Sequence, residues 1–277
     1  MQRSAPHFQQ AVKVIRSGDL GQITFVRTWN YGLAEPEGIG NPPDSAPPST
    51  LDWDRWLGPA PKRPFNANRF GVDPDDRYYS RFRMFWDYAG GMMTDWGVHL
   101  LDIVQMAFDE VMPRSVSTFG EKFYIKDDRE TPDTLLASYQ YPNFLATYEN
   151  REANGQSLVD RGHGILICGT RGTMILDRRG YELLPEEGSS LLETKVKASS
   201  QGNREHWANF IECMHTRKRP TSDVENCFRS TTTCLLANIA MQSKLRLDWD
   251  AEKLTILQED GRKMMSRPER DPWKIVV

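Results

Sequence analysis

A chain of 277 residues with 39% hydrophobic and 26% charged side chains can bury a core as one large domain or two modest ones. Its formal charge of -3 excludes the basic field that nucleic-acid binding needs, and no apolar run reaches the ~18 to 20 residues of a bilayer span. The 4 cysteines, Cys168, Cys213, Cys227 and Cys234, form no C-x-x-C pair and lack zinc-finger spacing, so a reducing, cytoplasmic setting is the default.

The first predicted helix follows Ser4, which is placed as its N-cap, and Pro6 fits its first turn. Phe8, Ala11, Val12 and Ile15 then keep the i, i+3, i+4, i+7 pattern up to Gly18. Residues 23–31, rich in β-branched and aromatic side chains, read as a strand. Residues 32–80 are dense in Gly, Pro, Asp and Asn, an irregular stretch of a length that is usually functional. Gly90-Gly91 introduces a second helix over residues 93–108. Beyond Pro113 the pattern turns to β. Residues 116–119 are a short strand, and 134–141 and 144–150 flank Pro142-Asn143 as a hairpin. Three more strands, 165–168, 173–176 and 181–184, are separated by Gly169-Thr170-Arg171-Gly172 and Arg178-Arg179-Gly180, both turn-like. Residues 186–202 are polar and carry no predicted element. Trp207, Phe210, Ile211 and Met214 form a helical stripe, a longer helix covers 223–243, and 245–249 adds a last strand. Consecutive strands with helices before and after predict an α+β fold, an open and mostly antiparallel sheet with helices packed on one face.

The best local constellation runs from Gly90 to Asp102. On a helix Asp95, His99 and Asp102 fall at i, i+4 and i+7, one polar stripe, while Trp96, Leu100, Ile103 and Ala107 form an apolar stripe for the core. Oxidising a secondary alcohol requires a base for the hydroxyl proton, and imidazole, with an ordinary pKa of about 6.5, suits that task near neutral pH. A carboxylate one turn away orients the ring or binds a substrate hydroxyl. Spacing alone leaves two other readings open. Asp95 then charges the helix N-terminus while His99 is an ordinary core residue, or the three side chains hold a metal for a lyase or hydrolase. No second His/Glu cluster completes a metal shell, so no metal is assigned. H-E-x-x-H, G-x-S-x-G, the P-loop and G-x-G-x-x-G are all absent.

With Gly91 through His99 as one marker, the sequence resembles the glucose-fructose oxidoreductase / inositol dehydrogenase / rhizopine catabolism (Gfo/Idh/MocA) family. Other markers are Ser17-Gly18-x-Leu20-Gly21, Trp56-Leu57-Gly58-Pro59-Ala60-Pro61 and Gly169-Thr170-Arg171-Gly172-Thr173. The match extends from Gln2-Arg3-Ser4-x-Pro6-His7-Phe8 to Pro272-Trp273. The resemblance implies a dihydrodipicolinate-reductase-like C-terminal domain over residues 21–277, with residues 1–20 a remnant of an N-terminal Rossmann domain. It implies that His99 and Asp95 are catalytic, His99 moving the proton. The family's Glu-Lys-Pro lysine has no counterpart here. NAD or NADP is then the cofactor of a full-length parent, with little or none bound by this chain alone.

Weaker candidates surround that pair. Arg3 is placed near the nicotinamide by the resemblance, and Asn30 and Tyr31 stand at the end of the first strand, facing substrate or solvent. Trp86 and Tyr88 are candidates to stack on a sugar face, Asp102 to bind substrate, and Arg151 and Arg161 to bind hydroxyls or a carboxylate. The expected partners are a sugar or polyol, a missing or separate Rossmann domain, and further copies of the chain through the exposed sheet face. Nucleic acid and membrane are not among them. A carbohydrate-binding or oligomerising module without catalysis is the alternative function.

Overall fold

The computed structural model describes residues 1–70 and 81–274; residues 71–80, the end of the irregular stretch expected over 32–80, lie outside the described residues. A short 3₁₀ turn, Gln2–Ser4, leads into helix α1, Pro6–Ser17. Phe8, Ala11, Val12 and Ile15 form its buried face as their spacing predicts, and Gly18 closes it at φ 81. Its N-cap is Ala5, not Ser4. The Ser4 hydroxyl turns instead to His206 Nδ1 at 2.9 Å and Thr221 at 3.2 Å, so a tertiary contact outbids the local one.

Strand β1, Ile23–Tyr31, occupies the expected residues. Helix α2, Trp53–Leu57, is capped by the Asp52 carboxylate, which accepts from the Arg55 amide. Helix α3, Gly91–Ala107, begins two residues before the expected start. Gly91 opens it at φ +63, and a Cβ there would meet Thr131 Cβ at 2.7 Å. Strands β2 (Ser115–Glu121), β3 (Thr134–Gln140), β4 (Leu145–Arg151), β5 (His163–Gly169), β6 (Gly172–Asp177) and β7 (Gly180–Pro185) follow. Strand β8, Thr194–Lys197, lies in the polar segment where no element was expected. Helices α4 (Asn203–Thr216) and α5 (Val224–Ser243), strands β9 (Leu247–Asp250) and β10 (Thr255–Ile256), and helix α6 (Glu259–Lys263) complete the chain.

The strands form one sheet in the order β10-β9-β2-β3-β4-β1-β5-β6-β7-β8. Every neighbouring pair is antiparallel except β1 beside β4. Alternation along β1 sends Val26 and Thr28 toward the helices and Phe25, Arg27 and Tyr31 to the opposite face. One core joins α1, α3 and α5 to that sheet face through residues such as Phe8, Leu101, Ala237, Tyr148 and Ile167. Each fully buried aliphatic side chain there contributes about 1.5–3 kcal/mol. The open sheet face carries exposed Phe119, Leu136, Leu145 and Leu184. The fold is the α+β arrangement expected, and among the described residues no helix is long and apolar enough to cross a membrane.

Helix α4 departs from this scheme. Trp207, Phe210, Ile211 and Met214, the stripe that predicts it, are 67%, 50%, 51% and 55% exposed, and none of its residues is buried. Gly202 at φ 82 brings its start against the backbone of Met1 and Ala5.

Candidate active site

Helix α3 carries the two stripes its sequence predicts, with one exception. Leu100, Ile103 and Ala107 are buried against the sheet, whereas Trp96 is only half-buried. Its ring lies 4.6 Å from that of His163, with the Arg178 guanidinium 4.8 Å above it. A tryptophan offered as core is thus a wall of the polar region. The reason is position: Trp96 faces the ends of β5 and β6, where the sheet no longer covers the helix.

The polar stripe is built from three differently held side chains. Asp95 Oδ2 accepts from Arg83 Nη1 at 2.5 Å. Asp102 accepts from Arg3 Nε at 2.9 Å and from Ser230 Oγ, on α5, at 2.7 Å. Between them His99 is exposed, and no hydrogen bond reaches either ring nitrogen among the described residues. It borders a cavity of about 170 Å³ with Gln2, Asp102, Cys227 and Ser230. Desolvation by the surrounding protein, and then the Arg178 charge, push the His99 pKa below its ordinary value against the pull of Asp95. The imidazole is therefore neutral at pH 7, free to accept a proton, and flanked by carboxylates that arginines already fix.

The other candidates are dispersed. Arg3 is buried and forms ion pairs with Asp102 at 2.8 Å and Glu110 at 2.6 Å, which pins the opening 3₁₀ turn to α3. Asn30 donates to Asn150 Oδ1 at 3.1 Å on the helix-covered face. Tyr31 and Arg151 stand on the opposite face, away from His99: the Tyr31 hydroxyl donates to Glu149 at 2.6 Å and the Arg151 guanidinium lies 3.6 Å over its ring. Their place at a strand end suggests a role at the site, but side-chain alternation turns them the other way. Arg161 is buried between Asp177 at 2.7 Å and Glu182 at 2.6 Å, a structural ion-pair cluster. Trp86 donates to Glu130, and Tyr88 packs edge-on to Trp56 at 4.9 Å beside a separate cleft of about 550 Å³. Neither makes a hydrogen bond or ring contact with His99.

Residues brought to the site that the sequence reading passed over include Gln2, Arg83, Arg178, Cys227 and Ser230. They come from four other segments, and no spacing connects them to α3. Among the described residues no group of three or more His, Cys, Asp or Glu side chains is arranged to hold a metal, and Asp95 and Asp102 are already neutralised by guanidinium groups. A glycine-rich G-x-G-x-x-G turn, which cradles a pyrophosphate at a helix N-terminus, does not occur in this sequence.

A search of curated proteins finds no match. Among solved structures, the chain is similar to the WlbA dehydrogenase from Bordetella pertussis, at 14% identity and a TM-score of 0.58, with 90% of this chain and 61% of that one covered. It is similar to an aldose-aldose oxidoreductase from Caulobacter crescentus, at 14% identity and a TM-score of 0.59, covering 89% of this chain and 62% of that one. An oxidoreductase domain protein from Kribbella flavida aligns at 14% identity and a TM-score of 0.59, over 89% of this chain and 64% of the other. At such identities the likeness establishes the fold. The chain spans less than two thirds of the length of each of these structures. The family model described as "Oxidoreductase family, C-terminal alpha/beta domain" matches residues 12–127 and 185–275. Matched over most of its length, this chain belongs to the Gfo/Idh/MocA oxidoreductase family, of which it carries the C-terminal alpha/beta domain.

Proposed function

We propose that the chain is the substrate-binding and catalytic portion of an NAD(P)-dependent oxidoreductase acting on a sugar, polyol or related secondary alcohol. The observation that carries this reading is His99: a neutral, exposed imidazole with no hydrogen-bond partner among the described residues, on a helix between two carboxylates held by arginines. In this role His99 takes the hydroxyl proton as the alcohol carbon is oxidised, and Asp95, one turn away, stabilises the imidazolium that forms. Asp102 acts as a clamp, tying the opening turn and α5 to α3 through Arg3 and Ser230. Two structural relatives support the chemistry. The Bordetella pertussis dehydrogenase was solved with NADH and UDP-GlcNAcA, and the Caulobacter crescentus enzyme with glycerol.

NAD(P) supplies the hydride acceptor, and in this reading a separate dinucleotide-binding domain holds it. In this reading residues 21–277 form the catalytic domain, and residues 12–20 already fall within the match to the C-terminal alpha/beta domain. The uncovered apolar stripe of α4, which starts against Met1 and Ala5, is the surface we assign to the domain contact. The test is turnover of a sugar and polyol panel with NAD and NADP, by the chain alone and by the chain completed with a dinucleotide-binding domain. The completed enzyme is expected to oxidise at least one alcohol, with kcat falling by about 10²–10⁴-fold in His99→Asn while KM changes little. The chain alone is expected to be inert. Robust oxidation by the chain alone, or an unaffected His99→Asn enzyme, would overturn the assignment.

A further inference from the structure

The cluster of arginines around the β6–β7 turn is not uniformly neutralised. Arg161 pairs with Asp177 and Glu182, and Arg179 pairs with Asp177. Arg178, between them in sequence, makes no ion pair among the described residues. Its backbone is nonetheless fixed on both sides. The Asp177 carboxylate accepts from the Arg179 amide at 2.7 Å, and the Arg178 carbonyl accepts from Gln201 at 3.0 Å. Its side chain lies on the Trp96 ring, with a single long bond, 3.4 Å, to Gln2 Oε1. A guanidinium stacked on an aromatic face keeps its hydrogen-bonding edge available and is oriented for planar, two-point contact with a carboxylate. His99 flanks the same Trp96 ring, 6.3 Å between centroids.

We propose that Arg178 and Trp96 form an anion subsite beside His99, and that the alcohol bound there is a sugar acid whose carboxylate pairs with Arg178. This deepens the alcohol-oxidising reading and rests on it. The unbalanced charge is felt across the site: after burial, Arg178 is the next largest cause lowering the His99 pKa, and it acts in the same direction on His163. A carboxylate bound at Arg178 cancels that field and raises the pKa of His99, so ligand charge and the base are coupled.

The test uses the full chain, with calorimetric titration of D-gluconate, its neutral analogue D-glucitol, and ADP-ribose. Imidazole resonances are followed in parallel. Gluconate is expected to bind about ten-fold or more tightly than glucitol, the scale of a charge-assisted hydrogen bond. That preference should vanish in Arg178→Gln and be only partly kept in Arg178→Lys, which retains charge and loses the planar fork. Gluconate should also raise the His99 pKa in the wild type and leave it unmoved in Arg178→Gln. Equal affinity for gluconate and glucitol, or a gluconate preference that survives Arg178→Gln, overturns the proposal. Competition between ADP-ribose and gluconate that depends on Arg178 assigns the anion to a dinucleotide and overturns it as well. Binding is read without turnover, so a failed oxidation assay leaves this result standing, and a failed binding assay leaves the role of His99 to its own test.

Discussion

Asp127, Arg129 and Glu152 show how individual side chains set the frame of the site from a distance. The Asp127 and Arg129 side chains are almost wholly buried, Arg129 Nε lies 2.9 Å from Asp127, and Arg129 Nη1 lies 2.7 Å from Glu152 at the end of β4. Asp127 also accepts from the Ile39 amide at 2.8 Å, so this pair ties the irregular stretch to the sheet. Arg129→Met takes the buried guanidinium from two carboxylates, leaving Asp127 its backbone amides and Glu152 only Asn150, and is expected to cost about 3–5 kcal/mol in chemical denaturation. A loss below 1 kcal/mol would show that the cluster is hydrated rather than load-sharing. His7 gives a second prediction, in pH. Burial lowers its pKa and outweighs the hydrogen bond to the Asp177 carbonyl. The unfolded chain therefore protonates first, so the associated stability is complete above the ordinary histidine pKa of about 6.5 and is lost as pH falls toward the depressed folded value. Urea midpoints between pH 7.5 and 5.5 should fall less steeply for His7→Gln than for the wild type. Some slope will remain, because burial lowers His99, His163 and His206 too. At this scale the sequence exposes Asp95 and His99, whose one-turn spacing is local information. It hides Arg178, because the ring it covers is remote in the chain.

Elements followed their own local signals wherever those signals were strong. Helix α5 begins where Asp223 accepts from the amides of Glu225 and Asn226, one residue after the expected start at 223. The Arg219 guanidinium, helped by those amides, holds the Asp223 carboxyl down at about 2, so the cap stays ionised well into acid. Asp223→Ala should lower stability by about 0.5–2 kcal/mol, read from the denaturant midpoint, with α5 fraying at its first turn. No change would mean that packing alone fixes this helix. Strand β8 leaves little trace in the sequence because its alternation, Thr194, Lys195, Val196, Lys197, is that of a solvated sheet edge. Lysines there discourage pairing with another molecule and dilute the hydrophobic signal by which strands are found. The Ser4 cap failed for the opposite reason: a good local signal was diverted to His206 and Thr221 by tertiary geometry.

On the scale of the molecule, two faces are left uncovered, the α4 stripe and the open side of the sheet. Exposed Phe119, Leu136, Leu145 and Leu184 on that open side are the surface we assign to self-association. Sedimentation should find dimers or larger species that fall to monomers in Phe119→Lys/Leu145→Lys. A wild type that is only monomeric at high concentration would remove the proposal. Fold class was legible from the order of elements, but strand order was not, since β1 sits between β4 and β5 rather than beside β2. That placement constrains how the protein can be made. The ribosome releases residues 23–31 long before residues 145–151 and 163–169, the only segments that hydrogen-bond along both sides of that early strand. Until synthesis has passed residue 169, a nascent β-rich segment waits with both flanks bare. Chaperone dependence should therefore be concentrated in that interval of translation, and slow codons placed within it would be more harmful than the same codons placed after residue 169.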